Sequence, residues 1–157
     1  MGICDDRVVI VTGAARGLGR AHALAFAADM QPSRLTMIGG GNRIDHTLAA
    51  LGAMGMPALT TVPVLDAWWD GQHLDVIHGP SRRTLHLEPG SIVSLLALGQ
   101  RCERVGITGV RWPLKDHRLQ PLIGLGVSNE VTDPSGLVEI TVSAGVLTVF
   151  DVAATAE

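Results

Sequence analysis

The chain is poor in cysteine and holds no long apolar run, and both shortages exclude whole classes of protein. Its 157 residues include only two cysteines, Cys4 and Cys102, which lie far apart and form no CxxC pair. Neither a disulfide framework nor a structural zinc site is therefore expected. No stretch of about 18 apolar residues is present, so no membrane-spanning helix is expected. Asp5 and Asp6 stand where a secretory signal would be basic, and we therefore expect a cytoplasmic protein.

The chain also lacks an excess of positive charge. It carries 12 basic and 15 acidic residues, a formal net charge of −3, so neither nucleic acid nor an anionic membrane is expected as a partner. Lys115 is the single lysine, and the arginines are scattered along the sequence. Apolar residues make up 46% of the chain and charged residues 17%, which indicates a globular protein with a buried core.

The first 65 residues alternate between strand-like and helix-like segments. The predicted order is strand, helix, strand, helix, strand, over residues 7–12, 17–28, 35–38, 45–54 and 58–65. We expect Asp45 to cap the second helix and Gly55 to end it. This alternation is typical of a small parallel α/β layer.

From Asp66 onward the pattern changes to short alternating runs, separated by turn residues at intervals of about 8–12 residues. Turns are predicted over residues 88–91 and 132–136. We therefore expect an α/β plus all-β protein. A small truncated Rossmann-like parallel α/β layer over residues 1–65 precedes an antiparallel β-sandwich over residues 66–157.

A glycine pattern, TGxxxGxG, joins the first predicted strand to the first predicted helix. It consists of Thr12, Gly13, Gly17 and Gly19, and over residues 1–28 it resembles the start of the short-chain dehydrogenase/reductase family. Such glycines let the backbone approach a pyrophosphate at a helix N-terminus. Gly13, Gly17 and Gly19 are therefore candidate cofactor-binding residues.

The catalytic residues of that family are missing. Its members use a tyrosine and a lysine four residues later, but this chain has no tyrosine, and Lys115 lies among the predicted β-strands. An active dehydrogenase is not expected. The stretch is then a scaffold element, a residual nucleotide site, or the relic of an NAD(P)-binding dehydrogenase.

Five further segments occur in an order that resembles the thiamine pyrophosphokinase family over residues 35–150. They are GGGNRIDHTLAAL (39–51), GSIVSLLALG (90–99), GITGVRWPLKDHRL (106–119), GLGVSNEV (124–131) and VEITVSAGVLTVF (138–150). The resemblance implies an α/β nucleotide-binding domain, a thiamine-binding β-sandwich, and a homodimer with thiamine sites between domains of different subunits. It also implies transfer of diphosphate from ATP, with Mg²⁺, onto the hydroxyethyl oxygen of thiamine.

The resemblance implies a thiamine site at Trp112, Ser128, Asn129 and Ser94. An indole face attracts a cation such as the thiazolium by about 0.5–2 kcal/mol, and Ser128 and Asn129 offer polar partners for the pyrimidine nitrogens. Alternatives remain open for each residue. Trp112 could be a core residue, Ser128 and Asn129 a turn, and Ser94 a satisfied core hydroxyl.

Arg43 and Asp45 are the candidate catalytic residues. The resemblance implies that Asp45 lies near the thiamine hydroxyl and that Arg43 faces phosphate oxygens as a permanently charged fork. A purely capping role for Asp45 remains the alternative.

One part of the family pattern is absent. Family members carry acidic GDxDS and KxTD motifs whose aspartates hold Mg²⁺ against ATP, and neither motif occurs here. Before Asp45 the only carboxylates are Asp5, Asp6 and Asp29, so no metal ligands are predicted. This leaves two alternatives beside the diphosphokinase. They are a non-catalytic thiamine-binding or dimerisation module and a fragment of a larger protein.

Overall fold

The computed structural model describes residues 8–11, 17–41 and 43–152, which form a mostly β structure. Its helices are α1 (Gly17–Met30) and α2 (Ile44–Met54), with a 3-10 turn at Pro57–Leu59. Its strands are β1 (Arg34–Gly39), β2 (Val64–Trp69), β3 (Gln72–His78), β4 (Ser81–His86), β5 (Ile92–Ala97), β6 (Cys102–Thr108), β7 (Leu114–Leu119), β8 (Gly126–Glu130), β9 (Leu137–Val142) and β10 (Val146–Val152). Neither helix is long and apolar enough to cross a membrane.

The strands form two sheets that share one apolar core. The larger sheet has the order β1-β2-β3-β10-β5-β8, and the smaller has the order β4-β9-β6-β7. Alternate residues of β5, β9 and β10 point into the space between the sheets, as the period of two requires. The core members include Val93, Leu95, Val105, Ile140 and Leu147. The predicted antiparallel sandwich is thus confirmed.

Two of the sandwich strands were not predicted from the sequence. β7 carries the polar run Lys115–Arg118, and β8 has five residues, among them Gly126. Both are edge strands, and charge on an edge strand discourages pairing with other chains. Edge strands bury little apolar surface, so their sequences lack the alternation that marked the inner strands.

The N-terminal part forms a second core on the other face of the larger sheet. β1 and β2 are parallel, with α2 between them, and the side chains of Leu51 and Met54 pack with Leu65 and Ala67. Ala27 of α1 joins the same cluster. The helices α1 and α2 and the strand β1 agree with the predicted helix, helix and strand.

A Rossmann-like α/β layer is not evident among the described residues. Residues 58–65 were expected to form a third strand, but Pro57 starts a 3-10 turn and β2 begins only after Pro63, which has no amide hydrogen to donate. Residues 8–11 form no strand, and Val8 is 92% exposed, because no neighbouring strand pairs with them. β1 and β2 therefore continue directly into the sandwich sheet through the antiparallel pairing of β2 with β3.

The predicted boundary between residues 65 and 66 falls inside β2. The division into two domains stays a prediction. Backbone hydrogen bonds confirm both predicted turns. Ser91 N donates to Glu88 O, and Gly136 N donates to Asp133 O.

A buried carboxylate links β1, β2 and β3. Asp66 is fully buried and accepts hydrogen bonds from Arg34, from Thr36 Oγ1 at 2.7 Å and from His73 Nε2 at 3.3 Å. Burial raises the pKa of Asp66, but the hydrogen bonds from Arg34, Thr36 and His73 outweigh it and hold the pKa below its usual value. Asp75 lies opposite Asp66 on β3, and burial raises its pKa.

These opposite shifts predict opposite effects of neutralising the two carboxylates at pH 7. We expect Asp66→Asn to lower the free energy of unfolding by about 1–3 kcal/mol, because Arg34, Thr36 and His73 lose a charged acceptor. We expect Asp75→Asn to leave the free energy of unfolding unchanged or to raise it, because none of the described residues gives that buried carboxylate a side-chain hydrogen bond and the Arg83 guanidinium lies 4.0 Å away.

The measurement is urea unfolding of both variants and the wild type between pH 3 and pH 7. Asp66 adds to the free energy of unfolding above its unfolded pKa, near 3.8. This stabilisation is lost as the pH falls through the lower pKa of the folded state. The ionised Asp75 carboxylate lowers the free energy of unfolding above the raised pKa that it has in the folded state. This destabilisation disappears as the pH falls below its pKa in the unfolded state. Equal losses in the two variants at pH 7 would contradict this account.

Candidate functional site

A glycine-rich loop follows β1 at the carboxyl end of the parallel pair. Gly41 N donates to Asp70 Oδ1 at 2.7 Å, and Asp70 N donates to Gly39 O at 3.3 Å. A side chain at Gly39 would clash with the Trp69 ring. Two bonds to Asp70 and this close approach hold the loop against the end of β2, and the carboxyl ends of parallel strands are where such sheets bind ligands.

Arg43 and Asp45 form an exposed ion pair directly after this loop. Arg43 Nε donates to Asp45 Oδ1 at 3.1 Å, and a second bond joins Nη2 to Oδ2. The hydrogen bond from Arg43 lowers the pKa of Asp45, so this carboxylate is ionised at neutral pH. The predicted cap is wrong, because Arg43 occupies the N-cap position and Asp45 lies inside the first turn of α2. The Asp45 carboxylate accepts hydrogen bonds from the Arg43 side chain. Its negative charge in the first turn also interacts favourably with the helix dipole.

The four predicted thiamine-binding residues lie together at β8, the far edge of the larger sheet. Ser94 lies on β5, and its Oγ accepts a hydrogen bond from Ser128 N at 2.9 Å. The pairing of β5 with β8 is irregular between Val93 and Leu95, and Ser128 has a φ of 60°. Ser94 therefore holds a bulge in β8, a device that redirects side chains near binding sites.

Asn129 and Trp112 are joined by a pair of hydrogen bonds. Trp112 N donates to Asn129 Oδ1 at 3.0 Å, and Asn129 Nδ2 donates to Trp112 O at 2.7 Å. Asn129 is 6% exposed, whereas Trp112 is 58% exposed. The alternative that Trp112 is a core residue is therefore wrong, and Ser128 and Asn129 belong to a strand, not a turn.

Sequence reasoning missed two charged residues beside the indole. The Arg111 guanidinium carbon lies 5.6 Å from the Trp112 ring centroid, within cation–π range. Glu130 holds the guanidinium with two contacts, of 2.9 Å and 3.2 Å. The chain position of Arg111, immediately before Trp112, was the available signal. Its partner Glu130 lies 19 residues further on and is brought close only by the fold.

An exposed apolar loop connects β7 to β8 next to this site. Three of its side chains are largely exposed, namely Leu122, Ile123 and Leu125, and Val127 at the start of β8 is 42% exposed. Neighbouring apolar side chains left in water mark surfaces that bind ligands or other chains.

The two candidate regions lie at opposite edges of one sheet. Arg43 and Asp45 follow β1, and Ser128 and Asn129 lie on β8, at the two ends of the six-strand order. Five strand spacings of about 4.8 Å separate these edges, about 24 Å in total. The structure thus brings the four thiamine candidates together but does not bring Arg43 and Asp45 to them within one chain.

The remaining predicted residues concern nucleotide and metal binding. Gly13 lies outside the described residues, while Gly17 and Gly19 lie at the start of α1. Their role in cofactor binding stays a prediction. Across residues 8–11, 17–41 and 43–152, no group of three or more His, Cys, Asp or Glu side chains is arranged to hold a metal ion.

Comparison with known proteins agrees with the resemblance found in the sequence. Residues 81–147 match the model of the thiamin pyrophosphokinase vitamin B1 binding domain. Thiamine pyrophosphokinase from Bacillus subtilis is similar with a TM-score of 0.68 at 18% identity, covering 84% of this chain and 61% of that one. The fold is that of thiamin pyrophosphokinases. No curated protein sequence matches the chain.

Two more solved structures support the same fold. Thiamin pyrophosphokinase from Geobacillus thermodenitrificans has a TM-score of 0.68 at 19% identity, over 88% of this chain and 62% of that one. The enzyme from Candida albicans has a TM-score of 0.61 at 11% identity, over 76% of this chain and 45% of that one. The chain thus spans about three fifths of the length of the two bacterial proteins. The dehydrogenase-like resemblance of residues 7–28 stays a prediction.

The Ser94 contact generates a prediction with a matched control. We expect Ser94→Ala to lower the free energy of unfolding by about 0.5–1.5 kcal/mol, because Ser128 N loses its acceptor. Ser91 is a buried serine directly before β5, and its Oγ has no hydrogen-bond partner among the described residues. Ser91→Ala should therefore have little effect or stabilise. Urea unfolding compares the two, and equal effects would contradict the role given to Ser94.

Proposed function

We propose that this chain is a thiamine pyrophosphokinase-like protein whose sandwich binds thiamine at the β8 edge. The observation that carries the proposal is the exposed indole of Trp112, a residue whose backbone is held by Asn129, next in sequence to Ser128 with its contact to Ser94. All four residues lie within the segment that matches the vitamin B1 binding domain.

The chemistry of this edge suits thiamine. The indole offers a flat π-face to a cationic or aromatic ring, and the exposed Ser128 hydroxyl is a polar partner for ring nitrogens. Glu130 neutralises Arg111, so the nearest protein cation does not give the site a net positive charge that would repel the thiazolium.

Truncating the indole tests this site directly. We expect Trp112→Ala to weaken thiamine binding by about 2- to 30-fold, the equivalent of the 0.5–2 kcal/mol of a cation–π contact. Isothermal titration calorimetry measures the affinity. Trp68→Ala is the matched control, because Trp68 is also about half exposed but lies on β2, away from β8. Unchanged affinity in a folded Trp112→Ala protein would overturn the site.

The reaction we propose is transfer of diphosphate from ATP to thiamine, with Mg²⁺ accompanying the nucleotide. Arg43 is the proposed contact to phosphate oxygens, and Asp45 the proposed contact near the thiamine hydroxyl. The separation of these residues from Trp112 supports a homodimer in which one chain offers Arg43 and Asp45 and the other offers the thiamine-binding edge. The exposed apolar loop beside β8 is a further reason to expect a second copy there.

A second candidate function is a thiamine-binding module without catalysis. It is favoured by the absence from the sequence of the acidic GDxDS and KxTD motifs. Chromatographic detection of thiamine diphosphate, after incubation with thiamine and Mg-ATP, separates the two. Product that falls on Arg43→Ala substitution supports the diphosphokinase. Thiamine binding without product supports the module.

A further inference from the structure

We propose that Asn129 is a positioning residue that acts on thiamine through Trp112, without contacting the ligand. This inference rests on the proposed function, since it names how the thiamine-binding indole is held. Asn129 is 6% exposed, and its carboxamide faces the backbone of Trp112 at both ends.

The side-chain oxygen of Asn129 already accepts two hydrogen bonds and cannot accept another from a ligand. Oδ1 accepts from Trp112 N at 3.0 Å and from Glu130 N at 3.1 Å, which uses both of its lone pairs. Nδ2 donates to Trp112 O at 2.7 Å. These partners also fix the orientation of the amide, because a flip would set two N–H groups against each other and two oxygens against each other.

The Asn129 side chain takes the place of a backbone partner where the strand ladder stops. Val110 forms a bridge with Val131, and Arg111 N donates to Glu130 O at 2.9 Å. At Trp112 the next contact comes from the Asn129 side chain. Pro113 follows and has no amide hydrogen. The residue that carries the indole is therefore tied to β8 by this one carboxamide on both its N–H and its C=O.

Hydrogen exchange on the ligand-free protein tests the positioning. We expect Asn129→Ala to raise the exchange rate of the Trp112 amide by about tenfold, because it loses its acceptor. The Arg111 amide should keep its rate, since its acceptor is the backbone oxygen of Glu130. Asn129→Asp retains an acceptor for Trp112 N and should restore protection. An unchanged Trp112 exchange rate in Asn129→Ala would overturn the proposal.

A double-mutant cycle then separates positioning from direct contact. Thiamine affinity is measured for the wild type, Asn129→Asp, Trp112→Ala and the double variant. Asn129→Asp loses the donation to Trp112 O, so we expect weaker binding in the wild-type background and no further loss in the Trp112→Ala background. Additive losses would show that Asn129 contacts thiamine itself and would overturn the proposal.

The two measurements distinguish this inference from the function on which it rests. Absence of thiamine binding in the wild type would contradict the proposed function and any action of Asn129 on thiamine, and hydrogen exchange would then decide only whether Asn129 holds the backbone of Trp112. Should Asn129→Ala fail to fold, Asn129→Asp supplies the test. Its retained acceptor predicts a protected Trp112 amide together with weakened thiamine affinity, and an unprotected amide or wild-type affinity would overturn the role.

Discussion

The pairing of β10 with both β3 and β5 is the constraint on which the rest of the structure depends. β10 is the last strand in sequence yet lies inside the six-stranded sheet. Leu147 and Val149 on one of its faces belong to the sandwich core, while Val146 and Phe150 contact the helix-covered core. Because β8 is held by β5, and β5 by β10, the candidate thiamine-binding edge is supported by the same strand that joins the two cores.

The site combines polar side chains that hydrogen-bond to the backbone with an exposed aromatic ring. The side chains of Ser94 and Asn129 form hydrogen bonds with the backbone of Ser128 and Trp112, so the sheet holds the backbone of the residue that carries the indole. The Arg111 guanidinium lies beside that ring, and its charge is neutralised by Glu130. The backbone of such a site is organised before any ligand arrives, which lowers the cost of ordering it on binding.

The sequence predicted the inner strands and the grouping of the thiamine candidates, but not the edges. β9 alternates apolar and polar residues because one of its faces is buried, and β10 is mostly apolar because each of its faces contacts a core. β7 and β8 have neither pattern. β2 begins only after Pro63, which has no amide hydrogen to donate. Residues 8–11 form no strand because no described neighbouring strand pairs with them. Arg111 and Glu130 could not be paired from the sequence, since only the contact between the β6–β7 loop and β8 brings them together.

The most direct test of the central claim is an NMR titration of the assigned, ¹⁵N-labelled protein with thiamine. The account predicts chemical-shift changes at the Trp112 indole N–H and the Ser128 amide, with the Trp68 indole N–H unchanged. Shifts confined to Trp68, or no shift at Trp112 at saturating thiamine, would contradict the claim that the β8 edge binds this ligand.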